Sequence, residues 1–182
     1  MEVLHRTLEN APVITRNEYE YFVHPVTDGI PLVEADLLRE IVDGILKLTT
    51  IDTVDVIVTP ESMGIHHATA LTLETGVPFT VVRKRPYNFE DEVAVEQRTA
   101  YSEQKLYINN VHTGDRVLVL DDVCSTGGTL TAICSGLLDV GAEIVDVIVV
   151  IQRKNDQRAI LPVEVKSLVN VEITDGRVVV HP

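Results

Sequence analysis

Asp121 and Asp122 stand side by side after the apolar run Val117-Leu118-Val119-Leu120, and Val123-Cys124-Ser125-Thr126-Gly127-Gly128-Thr129 carries the chain on into a helical pattern. Glycines and hydroxyls in such a turn suit an anion. Gly127 and Gly128 let backbone N–H groups approach closely, Ser125, Thr126 and Thr129 can donate to phosphate oxygens, and a helix N-terminus adds free donors. Two carboxylates beside the anion would repel it, yet they accept well from a pair of vicinal sugar hydroxyls a few ångströms away. Ribose 5-phosphate satisfies both halves. A Walker P-loop is excluded because Gly128 stands where its lysine belongs, and no G-x-G-x-x-G fingerprint is present. An ordinary strand-to-helix turn with Ser125 as N-cap would account for any one of these residues; one phosphorylated sugar accounts for all of them.

Such a segment works only if a sheet presents it. From Glu34 to Leu48 the apolar positions Leu37, Leu38, Ile41, Val42, Ile45 and Leu46 recur at helical steps. Asp55 to Val58 reads as a buried strand, and after Pro60-Glu61-Ser62-Met63-Gly64 a helical run stops near Gly76. Phe79 to Val82, Arg116 to Leu120 and Ile144 to Ile151 read as further strands, with a helix from Gly128 to Val140 closed by Gly141. Strands alternating with helices predict an α/β fold with a doubly wound, mostly parallel sheet, in which ligands sit at the carboxyl ends of the strands.

Two regions fall outside this alternation. Arg83 to Asn110 is polar, alternates at Val93, Val95, Leu106 and Ile108, and is too long for a connector, which predicts a mobile flap or lid. In the tail, Val163 to Ile173 and Arg177 to Val180 flank Asp175-Gly176, a hairpin signal. With 182 residues, 45% of them hydrophobic, a single domain is expected.

Composition narrows the function classes. The formal charge is −13, only five of the 15 basic residues are lysine, and the acids are scattered along the chain. No basic face for nucleic acid and no dedicated docking patch follows from that distribution. An acidic, lysine-poor surface suits a cytoplasm of very high salt. No apolar stretch reaches the roughly 18 residues of a membrane span and no signal-peptide layout opens the chain. The expectation is a cytoplasmic protein without membrane partners. Cys124 and Cys134, ten apart with no ligand-rich neighbours, read as reduced packing residues, and His66-His67 as one residue near the loop before it and one outward.

The string Asp121 to Thr129 resembles the phosphoribosyl-pyrophosphate (PRPP) motif of type I phosphoribosyltransferases. Nearly the whole chain is similar to the archaeal purine (hypoxanthine/guanine) branch of that family, close to the adenine enzymes. Tyr21-Phe22-Val23 with Thr27-Asp28-Gly29-Ile30-Pro31, Glu61-Ser62-Met63-Gly64-Ile65-His66, Arg83-Lys84-Arg85, and Tyr101-Ser102-Glu103 before Lys105-Leu106-Tyr107-Ile108-Asn109 fall in the family's order.

The resemblance implies roles. Asp121 and Asp122 would hold the ribose hydroxyls and Ser125 to Thr129 the 5-phosphate. Glu61 to Gly64, with Ser62 and Met63, would wrap the pyrophosphate, often through a strained peptide bond in this family. Arg83 and Lys84 would neutralise its charge. Mg²⁺ would arrive with PRPP and be held mainly by its oxygens, with no dedicated metal ligands in the protein. Residues 1–32 and the C-terminal hairpin would form a small hood that brings Tyr21, Phe22 and Val23 to face Val123 across a purine base. The lid, about 83–110, would place Glu103 and Tyr101 near the reactants, Glu103 assisting proton traffic. Animal enzymes of the hypoxanthine–guanine type carry an Asp where Ser125 stands and a Lys near Gln152, so base choice does not carry over from them; backbone near Val23 and the end of the Ile144 strand are left to set it. The implied activity is purine salvage from PRPP, in a homodimer. A PRPP-sensing regulator of the same fold is the alternative, though such regulators usually add a DNA-binding helical domain.

Overall fold

The computed structural model describes residues 1–16, 19–98, 103–154 and 162–181. The chain begins with helix α1 (Glu2–Glu9), hairpin strands β1 (Val13–Arg16) and β2 (Tyr19–Phe22), and the single turn α2 (Pro25–Asp28). These short elements lean on the core rather than stand alone. Leu4 and Leu8 of α1 are buried. His24 ties α2 down: its Nδ1 accepts from the Val26 N–H at 3.2 Å and its Nε2 meets Thr7 Oγ1 of α1 at 2.9 Å.

The long amphipathic helix α3 (Ala35–Leu48) buries Leu37, Ile41, Val42 and Ile45, within a residue of its expected bounds. Its Glu40 carboxylate accepts from the Val3 and Leu4 N–H groups at 3.1 and 2.8 Å, satisfying donors that a helix start leaves open. There follow β3 (Val56–Pro60), α4 (Gly64–Thr75), β4 (Phe79–Val82), β5 (Val93–Arg98), β6 (Glu103–Ile108), β7 (Arg116–Cys124), α5 (Gly128–Val140), β8 (Glu143–Arg153), β9 (Val165–Thr174) and β10 (Arg177–His181).

Six strands form the central sheet in the order β10-β9-β8-β7-β3-β4, parallel throughout except for the β9–β10 hairpin. One core cluster joins α1, α3 and α4 to one face of the sheet. The other joins α5 and the β5–β6 ribbon to the opposite face. The fold is doubly wound, as expected.

Three expectations change. Strand β7 does not end at Leu120 but continues through both aspartates to Cys124, because β8 keeps pairing with it, Val123 opposite Ile151 and Cys124 opposite Gln152. Backbone pairing overrides the loss of apolar side chains. The C-terminal hairpin belongs to the main sheet rather than to a separate hood, since β9 lies parallel beside β8. The lid segment is an antiparallel ribbon whose stem is part of the core: Val95, Leu106 and Ile108 are buried, and a Cβ on Gly136 of α5 would collide with Val95.

Candidate active site

In a parallel sheet all strands deliver their carboxyl ends to one edge. Here β3 delivers Glu61 to Met63, β4 delivers Arg83 and Lys84, β7 delivers Asp121 to Cys124, and β8 delivers Arg153. Segments distant in sequence therefore converge.

The aspartate pair forms the floor. Asp121 is only 7% exposed, and its Oδ1 accepts from the Asp122 N–H at 2.8 Å. Burial first, and the Asp122 charge second, push the Asp121 carboxyl well above the usual carboxylate range, while the Lys84 charge acts in the opposite sense. Burial raises Asp122 as well, and the charge of Asp28 adds to it. Two acids held close in a dry place favour a partner that hydrogen-bonds or neutralises them.

Thr126 and the glycines build the wall. Ser125, Thr126, Gly127, Gly128 and Thr129 line a cavity of about 130 Å³ together with Asp121, Val123, Cys124 and Leu130. Gly127, at φ 83°, is the N-cap of α5, and no side chain caps that helix start. Ser125 is thus not the N-cap, and the N-terminal turn of α5 borders this cavity.

Across the cleft, the Glu61–Ser62 peptide is cis, and Met63 leads into Gly64 at the start of α4. Gly64 is obligatory for packing reasons: a Cβ there would strike Thr59 Oγ1 and come within 3.3 Å of Asp121 Oδ1. The loop and the acid pair are thereby locked together. Glu61 also organises the expected cations. Its carboxylate accepts from the Lys84 N–H at 3.0 Å and pairs with Arg83 Nε at 2.9 Å. Arg83 is therefore half-buried and committed to Glu61, and Lys84 is the cation whose charge reaches Asp121.

A second cavity, about 560 Å³, opens between the N-terminal hairpin and the sheet. Tyr21, Phe22, Val23 and Val123, the residues expected around a base, all line it, and so do Tyr19, Asp28 and Arg153, to which the sequence assigned no such role. Arg153 ends an apolar strand in an acid-rich chain; that position was its only sequence signal. Val123 and Ser125 line both cavities.

Other expected residues lie elsewhere. Tyr101 falls outside the described residues, and Glu103, which opens β6 opposite Arg98, has its side chain outside them. The His66-His67 pair does not split into one residue at the loop and one fully exposed: His66 is half-buried. His67 is fully buried, where burial and the neighbouring His66 lower its pKa to about 3, and the two rings lie 3.8 Å apart. Cys124 and Cys134 are buried and in no disulfide, and burial pushes the Cys134 thiol up to about 11.

Comparison with known proteins gives a consistent result. The family model for the phosphoribosyl transferase domain matches residues 35–179. A protein of Halalkalicoccus jeotgali named HGPRTase-like protein 2 is 52% identical over 182 residues, spanning 99% of this chain and 96% of that one. A protein of the same name from Haloterrigena turkmenica is 50% identical over the full length of both. Among solved structures, adenine phosphoribosyltransferase from Rhodothermus marinus superposes with a TM-score of 0.76 at 25% identity, covering 93% of this chain and 99% of that one.

Proposed function

The chain belongs to the phosphoribosyl transferase domain family, and from that premise we propose that it is a purine salvage enzyme, moving ribose 5-phosphate from PRPP to a purine base. It is a pentosyltransferase; the purine, with hypoxanthine or guanine favoured over adenine, is the proposal. The products are a nucleoside monophosphate and pyrophosphate.

One observation carries the reading. Val123 and Ser125 form a wall common to the 130 Å³ and 560 Å³ cavities, so a phosphosugar in the first and a flat base in the second would be close enough for one bond to join them. That joined ligand is a nucleotide.

The proposed steps follow from the groups present. The C1–O bond of PRPP breaks, its electron pair leaves with pyrophosphate, and a base nitrogen that sheds its proton forms the C1–N bond. Asp121 and Asp122 hold the ribose hydroxyls and face the cationic sugar; Ser125, Thr126, Gly127, Gly128 and Thr129 hold the 5-phosphate. Ser62, Met63 and Gly64 wrap the pyrophosphate, with Lys84 opposing its charge and Arg83 shaping the loop through Glu61. Tyr21, Phe22, Val23 and Val123 sandwich the base. The ribbon excludes water that would hydrolyse PRPP, and Glu103 serves proton transfer. The donor chemistry, two carboxylates facing a diphosphate loop, fits Mg²⁺ brought in by PRPP and held mainly by substrate oxygens, where it supplies charge neutralisation for the leaving group.

The site is proposed to work in the cytoplasm and in a homodimer. No helix among the described residues is long and apolar enough to cross a membrane. Incubation with Mg²⁺-PRPP and each of hypoxanthine, guanine, xanthine and adenine tests the activity, and light scattering tests the dimer by a mass near twice that of one chain. Tight PRPP binding with no product from any base would replace the enzyme by the PRPP-sensing reading.

A further inference from the structure

The α2 turn makes hydrogen bonds of its own that stop one residue short. The Thr27 and Asp28 N–H groups donate to the His24 carbonyl at 3.1 and 2.8 Å, and the Gly29 N–H donates to the Pro25 carbonyl at 3.1 Å. None of them reaches the Val26 carbonyl, and Val26 is completely buried. Its N–H is served from outside the turn, by His24 Nδ1 at 3.2 Å. On the α4 side stands His67, also completely buried, whose two ring nitrogens meet no hydrogen-bond partner among the described residues. The Val26 backbone lies near enough to favour a proton on that ring, without the geometry of a hydrogen bond. With its pKa lowered to about 3 by burial, the ring is uncharged at neutral pH and carries one N–H. An orphan donor and an orphan acceptor thus meet between α2 and α4, and buried groups of this kind are rare enough to need a reason.

We propose that His67 is a positioning residue for the base: when a purine fills the 560 Å³ cavity, the His67 ring N–H donates to the Val26 carbonyl and seats the α2 turn. This rests on the reading that the cavity holds a purine. The turn has two sides. Thr27 and Asp28 line the cavity, with Val23 and Ile30 flanking them. Val26 and Gly29 meet α4 instead, where Met63 Cε lies 3.5 Å from the place of a Cβ on Gly29. An occupant that presses on Thr27 and Asp28 therefore moves Val26 against His67. A helix of four residues has little stability of its own, so one added hydrogen bond to the long helix α4 weighs heavily in where it sits. His67 touches no substrate, and its effect reaches the base through α2.

The test uses the full chain with His67→Leu, which keeps apolar packing and removes the ring nitrogens, and with His67→Gln, which returns an N–H at similar reach. Turnover with Mg²⁺-PRPP gives KM and kcat for the purine the wild type uses best, and calorimetry gives Kd for PRPP. His67→Leu is expected to raise the purine KM roughly three- to tenfold, the usual size of one neutral hydrogen bond, with kcat and the PRPP Kd within about twofold. His67→Gln should recover most of that loss. The melting temperature of the empty chain should not fall in His67→Leu, because an unpaired buried donor is removed. A purely structural residue gives the reverse, a lower melting temperature with an unchanged purine KM, and that result overturns the proposal. If His67→Leu does not fold, nitrogen NMR of the wild-type ring decides: inosine monophosphate should shift a His67 ring nitrogen, and an unmoved signal overturns the proposal. The two readings fail separately. Turnover with a purine KM that ignores His67 removes this inference and leaves the enzyme; a His67 signal that shifts with inosine monophosphate in a chain without turnover does the opposite.

Discussion

The two cavities of the site are built in opposite ways. The proposed phosphosugar grip comes from one continuous segment, Asp121 to Thr129, mounted on a strand whose residues Val117 to Leu120 are completely buried between two neighbours. The proposed base cavity is gathered from the N-terminal hairpin, the α2 turn and the ends of β7 and β8, and its Tyr21 is 45% exposed. In the proposed reading, the phosphosugar that all purine nucleotides share is held by the core, and the choice among bases is left to peripheral elements that can change without disturbing the sheet. Substitutions in the two regions should therefore part company: one set should act on PRPP and on stability, the other on the base alone.

Asp122→Asn gives the largest expected effect. The fold is kept, but a charged acceptor for a ribose hydroxyl is lost, and kcat/KM for PRPP should drop roughly 10- to 100-fold. Unchanged PRPP kinetics would end the ribose role of the pair. Gly64→Ala comes next, since the new Cβ strikes Thr59 Oγ1. Overpacking of this kind costs about 1–3 kcal/mol, and the displaced loop should weaken PRPP binding as well. Adding Thr59→Ala removes the clashing oxygen and should recover part of both losses. If the double variant is no better than Gly64→Ala, the close approach is not what requires the glycine.

The same contrast explains what could be read before the fold was seen. Helices α3 and α5 follow from apolar period and terminators, so their bounds were correct to within a residue. The Asp121 to Thr129 segment could be singled out because its residues are consecutive and their types suit one ligand. Pairing is not local, however. Nothing in Asp121 to Cys124 announces that β8 will keep them in a strand, and nothing in the tail announces that β9 will lie beside β8. Arg153 was missed for the same reason: the ring it lies over, Tyr19, stands more than a hundred residues earlier.

On the base side, Tyr21→Ala should raise the KM for the purine by up to about tenfold, the worth of one aromatic face. The Kd for PRPP should stay within about twofold, because Tyr21 lines only the larger cavity. Equal weakening of both substrates would show that the cavities are not separable, and the contrast between core and periphery would collapse.

The smallest effect is also the one that shows what the grip costs. Burial raises the Asp121 carboxyl above its ordinary value of 3.8, so the folded chain resists its ionisation more than the unfolded chain does. A group raised in this way contributes its full stability below the ordinary value, and the contribution is lost as pH rises through the raised one. At neutral pH the wild type therefore carries a penalty. Asp121→Asn does not titrate, and its Oδ1 still accepts from the Asp122 N–H. Its melting temperature should exceed that of the wild type at pH 7, by about 2–4 °C for each kcal/mol relieved, while turnover falls. The gain should vanish as pH drops below the ordinary carboxylate value, where the wild type is protonated in both states. Tyr21→Ala should show no such gain at any pH. A neutral-pH melting temperature for Asp121→Asn at or below that of the wild type would mean that Lys84 already compensates the buried charge, and the acid pair would then be as comfortable in the fold as the aromatic wall opposite it.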